Sequence, residues 1–165
     1  MNLAESGHID LNSEETKVLD FGVCNGEVGE TFNRLGFTEV YGQEGSAHLR
    51  KRSMKKGHYK AIASFIVGKQ AMPSNFARKF DIVSCSGNLG VGLMPSQGLN
   101  DMVKALKQGG YAVFSINEKL LDPETDKGTG YSQEIQKLID NEAWKEVASV
   151  DGAEDRSKIM IFQKL

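Results

Sequence analysis

One short stretch of the sequence, Lys17–Ser46, holds two acidic residues and a glycine-rich turn at spacings that suit ligand binding. Asp20 lies near the end of an apolar run, and the turn Gly22–Gly26 follows at once. Glu44 comes about twenty residues after the start of the turn. Backbone N–H groups of such a turn can approach a ligand closely, and an acid at this distance along the chain can bind ribose hydroxyls. The spacing therefore predicts a site for a nucleotide-like ligand.

A β-α-β unit has to position these groups, and the hydrophobic pattern of the same stretch predicts one. The apolar run that ends at Phe21 predicts a buried strand, and Thr38–Gln43 predicts a second strand. Between them, apolar residues recur at the spacing of one helix face: Val28, Phe32 and Leu35. The glycine turn therefore faces a helix N-terminus, and Glu44 follows the second strand.

The rest of the chain continues this alternation of strands and helices. Further strands are predicted at Tyr59–Val67, Phe80–Ser84, Tyr111–Ile116, Trp144–Val150 and Lys158–Gln163. Further helices are predicted from the N-cap Ser46 to Lys56, from the N-cap Ser96 to the glycines 109–110, and over Tyr131–Glu142. The segment between the last two strands is too short for a helical crossover, so these strands should pair antiparallel. We expect an α/β fold with a Rossmann-like, doubly wound sheet of about seven strands, mostly parallel with an antiparallel last strand, and helices on both faces.

Length and composition predict one domain. The chain has 165 residues, of which 39% are hydrophobic, enough for a single core. We expect residues 1–16 to form a flexible N-terminal arm and residues 17–165 to form the domain. The net charge of −2 gives no reason to expect nucleic acid or an anionic membrane as a partner. The absence of a long apolar run and the use of only two cysteines favour a cytoplasmic protein, and no metal-ligand spacing occurs.

Two common nucleotide-binding motifs do not fit the glycine turn. A dinucleotide fingerprint that starts at Gly22 needs glycines where Cys24 and Glu27 stand. A phosphate-binding P-loop needs Gly-Lys-Ser/Thr, which the chain lacks. The pattern D-x-G-x-x-x-G, formed by Asp20, Gly22 and Gly26, matches another family better.

From Lys17 to Leu165 the chain resembles the class I S-adenosylmethionine-dependent methyltransferases. Within that superfamily it looks most like the small methyltransferase-like proteins grouped with the Williams–Beuren-region methyltransferase, a likeness carried by the segments CSGNLGVGLMPS and LKQGGYAVFSI. The resemblance implies a seven-stranded sheet whose last strand is antiparallel, and S-adenosylmethionine as the cofactor. It implies direct in-line methyl transfer to a small molecule or a protein side chain, chemistry that needs mainly proximity, orientation and desolvation.

The resemblance also assigns roles to the residues of the turn. The family's loop E/D-x-G-x-G-x-G falls on Asp20–Gly26, where Cys24 replaces the middle glycine. Gly22 and Gly26 would let the backbone approach the methionine and ribose parts of the cofactor, and Asp20 would bind its ammonium. Glu44 would accept hydrogen bonds from both ribose hydroxyls. If the position of Cys24 needs a positive φ, the substitution costs about 1 kcal/mol and its Cβ crowds the ligand.

Further residues follow from the same alignment of motifs. Gly45 adjoins the ribose acid, and Gly68 and Lys69 stand where the family usually shows an acid that contacts adenine, so backbone groups would hold the adenine here. Ser86 and Gly87 match the loop beside the transferred methyl group. No catalytic residue is evident. The candidates on the substrate side are Asn88, Asn117 and Tyr131.

Several alternatives stay open from sequence. A non-catalytic cofactor-binding module that regulates or pairs with a partner protein is favoured by Cys24, by the missing adenine acid and by the short arm. An NAD-dependent reductase is a weaker alternative, because the glycine spacing fails. Glu44 taken without the glycine turn could be a solvated acid at a strand end, and Asn88 could equally be a turn residue.

Overall fold

A computed structural model describes residues 14–153 and 156–165. Its strands are β1 (Lys17–Phe21), β2 (Glu39–Gln43), β3 (Ala61–Ala63), β4 (Phe80–Cys85), β5 (Leu106–Asn117), β6 (Trp144–Asp151) and β7 (Ser157–Lys164). Its α-helices are α1 (Glu27–Arg34), α2 (Ala47–Met54), α3 (Gly98–Ala105) and α4 (Tyr131–Asp140). Short 3₁₀ turns lie at Ser74–Phe76 and Glu118–Leu120.

The strands form one seven-stranded sheet in the order β3-β2-β1-β4-β5-β7-β6. The first five strands along the chain pair parallel, whereas β7 pairs antiparallel with both β5 and β6. Right-handed crossovers place α1 and α2 on one face and α3 and α4 on the other. The predicted fold class, including the antiparallel end, is confirmed. The strand order reverses between β1 and β4, and ligands bind outside the carboxyl ends of the strands at such a point.

Two apolar clusters hold the helices to the sheet. The larger cluster packs α3 and α4 on the sheet and includes Leu99, Phe114 and Trp144, all almost fully buried. Trp144 stacks on Phe162 with 4.3 Å between ring centroids. The smaller cluster lies under α1 and contains Val18, Val23, Phe37, Val40, Tyr59 and Ile82. The carboxyl ends of β1, β2 and β4 thus project from a rigid support.

Three predicted boundaries are wrong. The third strand is only Ala61–Ala63, because it lies at the sheet edge and the chain then turns back over the carboxyl ends. Ser96 is not the N-cap of α3, since Gln97 takes that position without a side-chain bond. The same helix ends at Ala105, because the fully buried Leu106 already pairs with Phe80 in the sheet.

The predicted flexible arm, residues 1–16, lies mostly outside the described residues. At its described end, the Glu14 carbonyl accepts a hydrogen bond from the Thr38 hydroxyl at 3.3 Å. Within residues 14–153 and 156–165, no helix is long and apolar enough to cross a membrane.

Candidate functional site

The glycine loop between β1 and α1 is shaped by contacts with the two neighbouring strands. The Gly22 N–H donates to the main-chain oxygen of Gln43 at 3.0 Å and to its Oε1 at 3.1 Å. On the other side, Asn88 Nδ2 donates to the Gly22 carbonyl at 2.9 Å. Gly22 has φ +76°, and a Cβ there would lie 2.4 Å from Asn88 Nδ2. Backbone conformation and space both require glycine at this position.

Cys24, at the position of the family's middle glycine, has φ +48°. The positive φ considered from the sequence is therefore present, in a region that side chains with a Cβ rarely adopt. The conformation is held on three sides: the Cys24 N–H donates to Glu44 Oε2 at 3.0 Å, its carbonyl accepts from Ser53 Oγ at 2.7 Å, and its thiol lies 3.8 Å from Asn88 Oδ1.

Replacement of Cys24 by glycine should stabilise the loop relative to replacement by alanine. Both variants remove the thiol, but only glycine relieves the strain of the positive φ, so we expect Cys24→Gly to be about 1 kcal/mol more stable than Cys24→Ala. Urea unfolding followed by circular dichroism measures this difference. Equal stabilities of the two variants would show that the backbone at this position carries no strain.

Glu44 is buried at the end of β2, with 8% of its surface exposed. Its Oε2 accepts from the Cys24 N–H, and its Oε1 accepts from the Ser46 N–H at 2.8 Å. The alternative of a solvated acid does not fit this burial. Each carboxylate oxygen keeps a lone pair beyond these bonds, so the group can accept further hydrogen bonds from a ligand.

Asp20 lies in β1, directly before the loop, with only 1% of its surface exposed. The hydroxyl of Tyr59 donates to its Oδ2 at 2.8 Å, and the hydroxyl of Ser84 donates to its Oδ1 at 3.2 Å. Burial raises the pKa of Asp20 to about 6, while the two hydroxyl donors lower it and the charge of Glu44 raises it. The carboxylate is therefore a buried anion at neutral pH, below the loop instead of in contact with the space above it.

A cavity of about 250 Å³ lies above the glycine loop at the carboxyl ends of β1 and β2. Six of the predicted site residues line it: Gly22, Cys24, Glu44, Gly45, Lys69 and Asn88. Apolar residues that the sequence did not single out complete the wall: Leu49, Phe65, Ile66, Val67, Leu93, Met94 and Pro95. A larger open cavity of about 720 Å³ lies at the opposite edge, beside Lys17 and Asp81, where parallel sheets do not bind their ligands.

The other predicted cofactor residues lie around this cavity without lining it. Gly26 is the N-cap of α1 with φ +84°, and Asp20 supports the loop from below. The Gly68 N–H donates to Asp101 Oδ2 at 2.8 Å and is thereby occupied within the protein. Ser86 and Gly87 line a neighbouring cavity instead.

Comparison with protein families identifies the family of the chain, because residues 2–150 match the family described as DREV methyltransferase. The chain belongs to the DREV methyltransferase family. A search of curated proteins finds no match. By family and fold, the chain is an S-adenosylmethionine-dependent methyltransferase.

Solved structures with the same fold extend over nearly all of the chain. An S-adenosylmethionine-dependent methyltransferase from Mesorhizobium loti is 13% identical, with a TM-score of 0.70 and coverage of 98% of this chain and 96% of that chain. Magnesium protoporphyrin IX methyltransferase from Synechocystis, solved with bound S-adenosylhomocysteine, is 14% identical, with a TM-score of 0.68 and coverage of 99% and 78%. A Haloferax volcanii methyltransferase, solved in complex with the activator Trm112, is 12% identical, with a TM-score of 0.68 and coverage of 98% and 87%. At these identities the likeness shows the fold of this DREV methyltransferase.

A second cavity, of about 390 Å³, adjoins the first across the loop Ser86–Asn88. Ser86, Gly87, Ser115 and Asn117 contribute polar groups to it. The Gly87 N–H donates to Ser115 Oγ at 2.9 Å, which fixes the loop to β5. In this DREV methyltransferase, Asn88 thus reaches the first cavity and Asn117 reaches the second.

Tyr131, the remaining candidate on the substrate side, lines neither cavity. It is 1% exposed at the start of α4. Its hydroxyl accepts from the Gly90 N–H at 3.0 Å and donates to the Met94 carbonyl. The side chain therefore supports the loop that carries the apolar wall, and its burial does not fit the predicted contact with substrate.

Two residues beneath the glycine loop, Ser53 and Tyr59, were not recognised from the sequence. Ser53 binds the Cys24 carbonyl and Tyr59 binds Asp20. A signal for Tyr59 exists in Gly29 and Gly42, which lie inside a helix and a strand where glycine is unfavourable and where a Cβ would contact the Tyr59 ring. Isolated glycines at such places indicate that another group packs closely against the backbone.

Proposed function

We propose that this methyltransferase binds S-adenosylmethionine in the cavity above the glycine loop and transfers its methyl group to a small molecule or a protein side chain. The observation that carries the proposal is the carboxylate of Glu44. It is buried, it is fixed by the N–H groups of Cys24 and Ser46, and it lines the cavity at the end of β2. A carboxylate held in this way is prepared to accept two neighbouring hydroxyl groups without further loss of side-chain entropy.

The residues present fit this cofactor. At Gly22 a Cβ would collide with Asn88, so the backbone is bare where the methionine part would lie. The apolar residues Ile66, Leu93 and Pro95 provide walls for a flat adenine ring. Asp101 occupies the Gly68 N–H, so this apolar wall and the remaining main-chain groups would hold the adenine. The anion of Asp20 below the loop would attract the positive charges of the ligand through the loop without contact.

The bound cofactor would supply an electrophilic methyl group, and the chain's own residues would position the acceptor and exclude water. The loop Ser86–Asn88 separates the two cavities, which places a molecule in the second cavity next to a ligand in the first. Asn88 is fixed by its bonds to Gly22 and to the Ser86 carbonyl at 3.1 Å. In this proposal Asn117 orients the acceptor in the second cavity, Asn88 fixes the loop between the two cavities, and in-line transfer proceeds through proximity and desolvation.

A protein partner and a closer family placement are further parts of the proposal. A Haloferax methyltransferase of the same fold is solved with an activator protein, which supports a similar pairing here. Val91 and Leu93 are 64% and 55% exposed on the loop beside the cavity, and apolar side chains of this kind suit a protein contact. The segments CSGNLGVGLMPS and LKQGGYAVFSI support a place beside the Williams–Beuren-region methyltransferases.

Thermal unfolding in the presence of two ligands tests the proposed function. S-adenosylhomocysteine should raise the melting temperature, because a ligand present at 100 times its Kd stabilises the folded state by about 2.7 kcal/mol. NADH at the same concentration should have no effect. A shift with NADH and none with S-adenosylhomocysteine would contradict the proposal and favour a dinucleotide enzyme.

A further inference from the structure

Tyr59 contacts both sides of the glycine loop from below. It lies between α2 and β3 and is 5% exposed. Its hydroxyl donates to Asp20 Oδ2 at 2.8 Å, at the end of β1, and accepts from the Gly29 N–H at 2.9 Å, in the first turn of α1. A single oxygen atom therefore connects the residue before the loop to the helix after it.

The bond to Gly29 replaces a missing helix cap. The first N–H groups of a helix have no acceptor within it, and the side chain of the N-cap residue usually accepts from the third helical residue. In α1 the third residue is Gly29 and the N-cap is Gly26, which has no side chain and adopts φ +84°. Tyr59 supplies the acceptor from another part of the chain, which leaves Gly26 free to remain a bare backbone segment of the loop.

The ring of Tyr59 fills space that glycines leave open. A Cβ at Gly29 would lie 2.4 Å from the ring atom Cζ, and one at Gly42 would lie 3.2 Å from Cδ1. A Cβ at Gly26 would lie 3.6 Å from Cε2. The ring is thus fitted closely between α1 and β2, so the position of its hydroxyl is fixed by packing. Phenylalanine has the same ring and would occupy the same space, which separates the packing of Tyr59 from its hydrogen bonds.

The bond to Asp20 affects the charge below the loop. Asp20 receives its hydrogen bonds from the hydroxyls of Tyr59 and Ser84, and the ionisable groups that face it are Tyr59, Glu44, Cys24 and Cys85. The Tyr59 donor is the largest influence that lowers the pKa of Asp20 against burial. Loss of that donor would raise the pKa further above about 6 and reduce the fraction of the anion at neutral pH.

We propose that Tyr59 is a positioning residue for the cofactor, whose hydroxyl holds Asp20 and the start of α1 in the arrangement that shapes the glycine loop. This inference rests on the proposed binding of S-adenosylmethionine above that loop. Tyr59 itself touches neither the cavity nor the reacting atoms. Its effect on binding passes through Asp20 and Gly29.

The test compares Tyr59→Phe with Tyr41→Phe. The hydroxyl of Tyr41 also bonds a carboxylate, Glu39 Oε2 at 2.9 Å, but outside the cavity. Calorimetric titration with S-adenosylhomocysteine at pH 7 should show about tenfold weaker binding for Tyr59→Phe and unchanged binding for Tyr41→Phe. Between pH 5 and pH 8, binding should weaken as the pH falls. The pH midpoint of this loss should be higher in Tyr59→Phe than in the wild type and unchanged in Tyr41→Phe. A role of Tyr59 in packing alone would not shift this midpoint.

Amide hydrogen exchange of the unliganded protein gives a second readout. The Gly29 amide should exchange slowly in the wild type and faster in Tyr59→Phe, whereas Tyr41→Phe should leave it unchanged. An unprotected Gly29 amide in the wild type would overturn the inference even if Tyr59→Phe did not fold. If the wild type binds S-adenosylhomocysteine and Tyr59→Phe binds it equally well with the same pH midpoint, the role of Tyr59 is refuted and the proposed function stands. If the wild type does not bind it, the proposed function and this role fall together.

Discussion

Glu44→Ala should weaken the binding of S-adenosylhomocysteine by about 10- to 150-fold, corresponding to about 1.5–3 kcal/mol for hydrogen bonds to a charged group. The carboxylate lines the cavity, so its removal takes away the proposed acceptor of the ribose hydroxyls. It also takes away the acceptor of the Cys24 and Ser46 N–H groups, so the glycine loop loses a support. Isothermal titration at a temperature where both proteins are folded measures the effect.

Two further variants separate these contributions. Glu44→Gln keeps one oxygen as an acceptor but directs an amide at one of the two N–H groups, so its affinity should fall between those of the wild type and the alanine variant. Glu30→Ala removes an exposed acid from α1 and should leave the affinity unchanged. Unchanged affinity in Glu44→Ala would show that the carboxylate serves the loop alone and that the ribose is held elsewhere.

The architecture could be predicted because its signals are local. Apolar runs and glycine positions mark β1, β2 and β4 within about a residue of their observed ends. The antiparallel end of the sheet followed from the short connection between β6 and β7, since no crossover fits in it. Antiparallel pairing of two consecutive strands can thus be predicted from the length of their connection, without knowledge of the tertiary contacts.

The boundaries that failed depend on tertiary contacts. The apolar run Tyr59–Val67 has the pattern of a long strand, but only Ala61–Ala63 pairs with β2. The apolar side chains of Tyr59, Phe65 and Val67 are buried in the two clusters outside the strand. Similarly, Leu106 follows the helical pattern of α3 but is the first residue of β5 and pairs with Phe80. A hydrophobic pattern reports burial and leaves open whether the burial occurs in a strand, a helix or a loop.

The candidate site likewise has a part that local sequence signals predict and a part that depends on tertiary contacts. The loop and Glu44 were found because the glycine spacing is short and the acid follows at a fixed distance. The bonds that fix them cross long stretches of sequence: Tyr59 is 39 positions from Asp20, and Asn88 is 66 positions from Gly22. The strand order brings these pairs together: β4, which Asn88 follows, lies beside β1, and β3, which Tyr59 precedes, lies on the far side of β2.

Asp20→Asn should change the pH dependence of stability by about 3 kcal/mol. The pKa of Asp20 rises from 3.8 to about 6 on folding, so between these values the folded state binds more protons than the unfolded state. Stability therefore falls as pH rises through this window, by about 1.4 kcal/mol for each unit of the difference. Asparagine cannot ionise, so the free energy of unfolding of the variant relative to the wild type should improve by about 3 kcal/mol over the whole window, of which about 2.4 kcal/mol falls between pH 4 and pH 7.

The same substitution should also weaken cofactor binding. At pH 7 the wild type holds an anion below the loop, and its loss should reduce the affinity for the cationic S-adenosylmethionine by roughly tenfold. Urea unfolding at several pH values measures the first effect, and titration at pH 7 measures the second. Asp140→Asn, at the exposed end of α4, controls for the general loss of an acid. If Asp20→Asn follows the wild-type stability profile from pH 4 to pH 7, the carboxyl titrates alike in the folded and unfolded states, and the raised pKa of Asp20 is refuted.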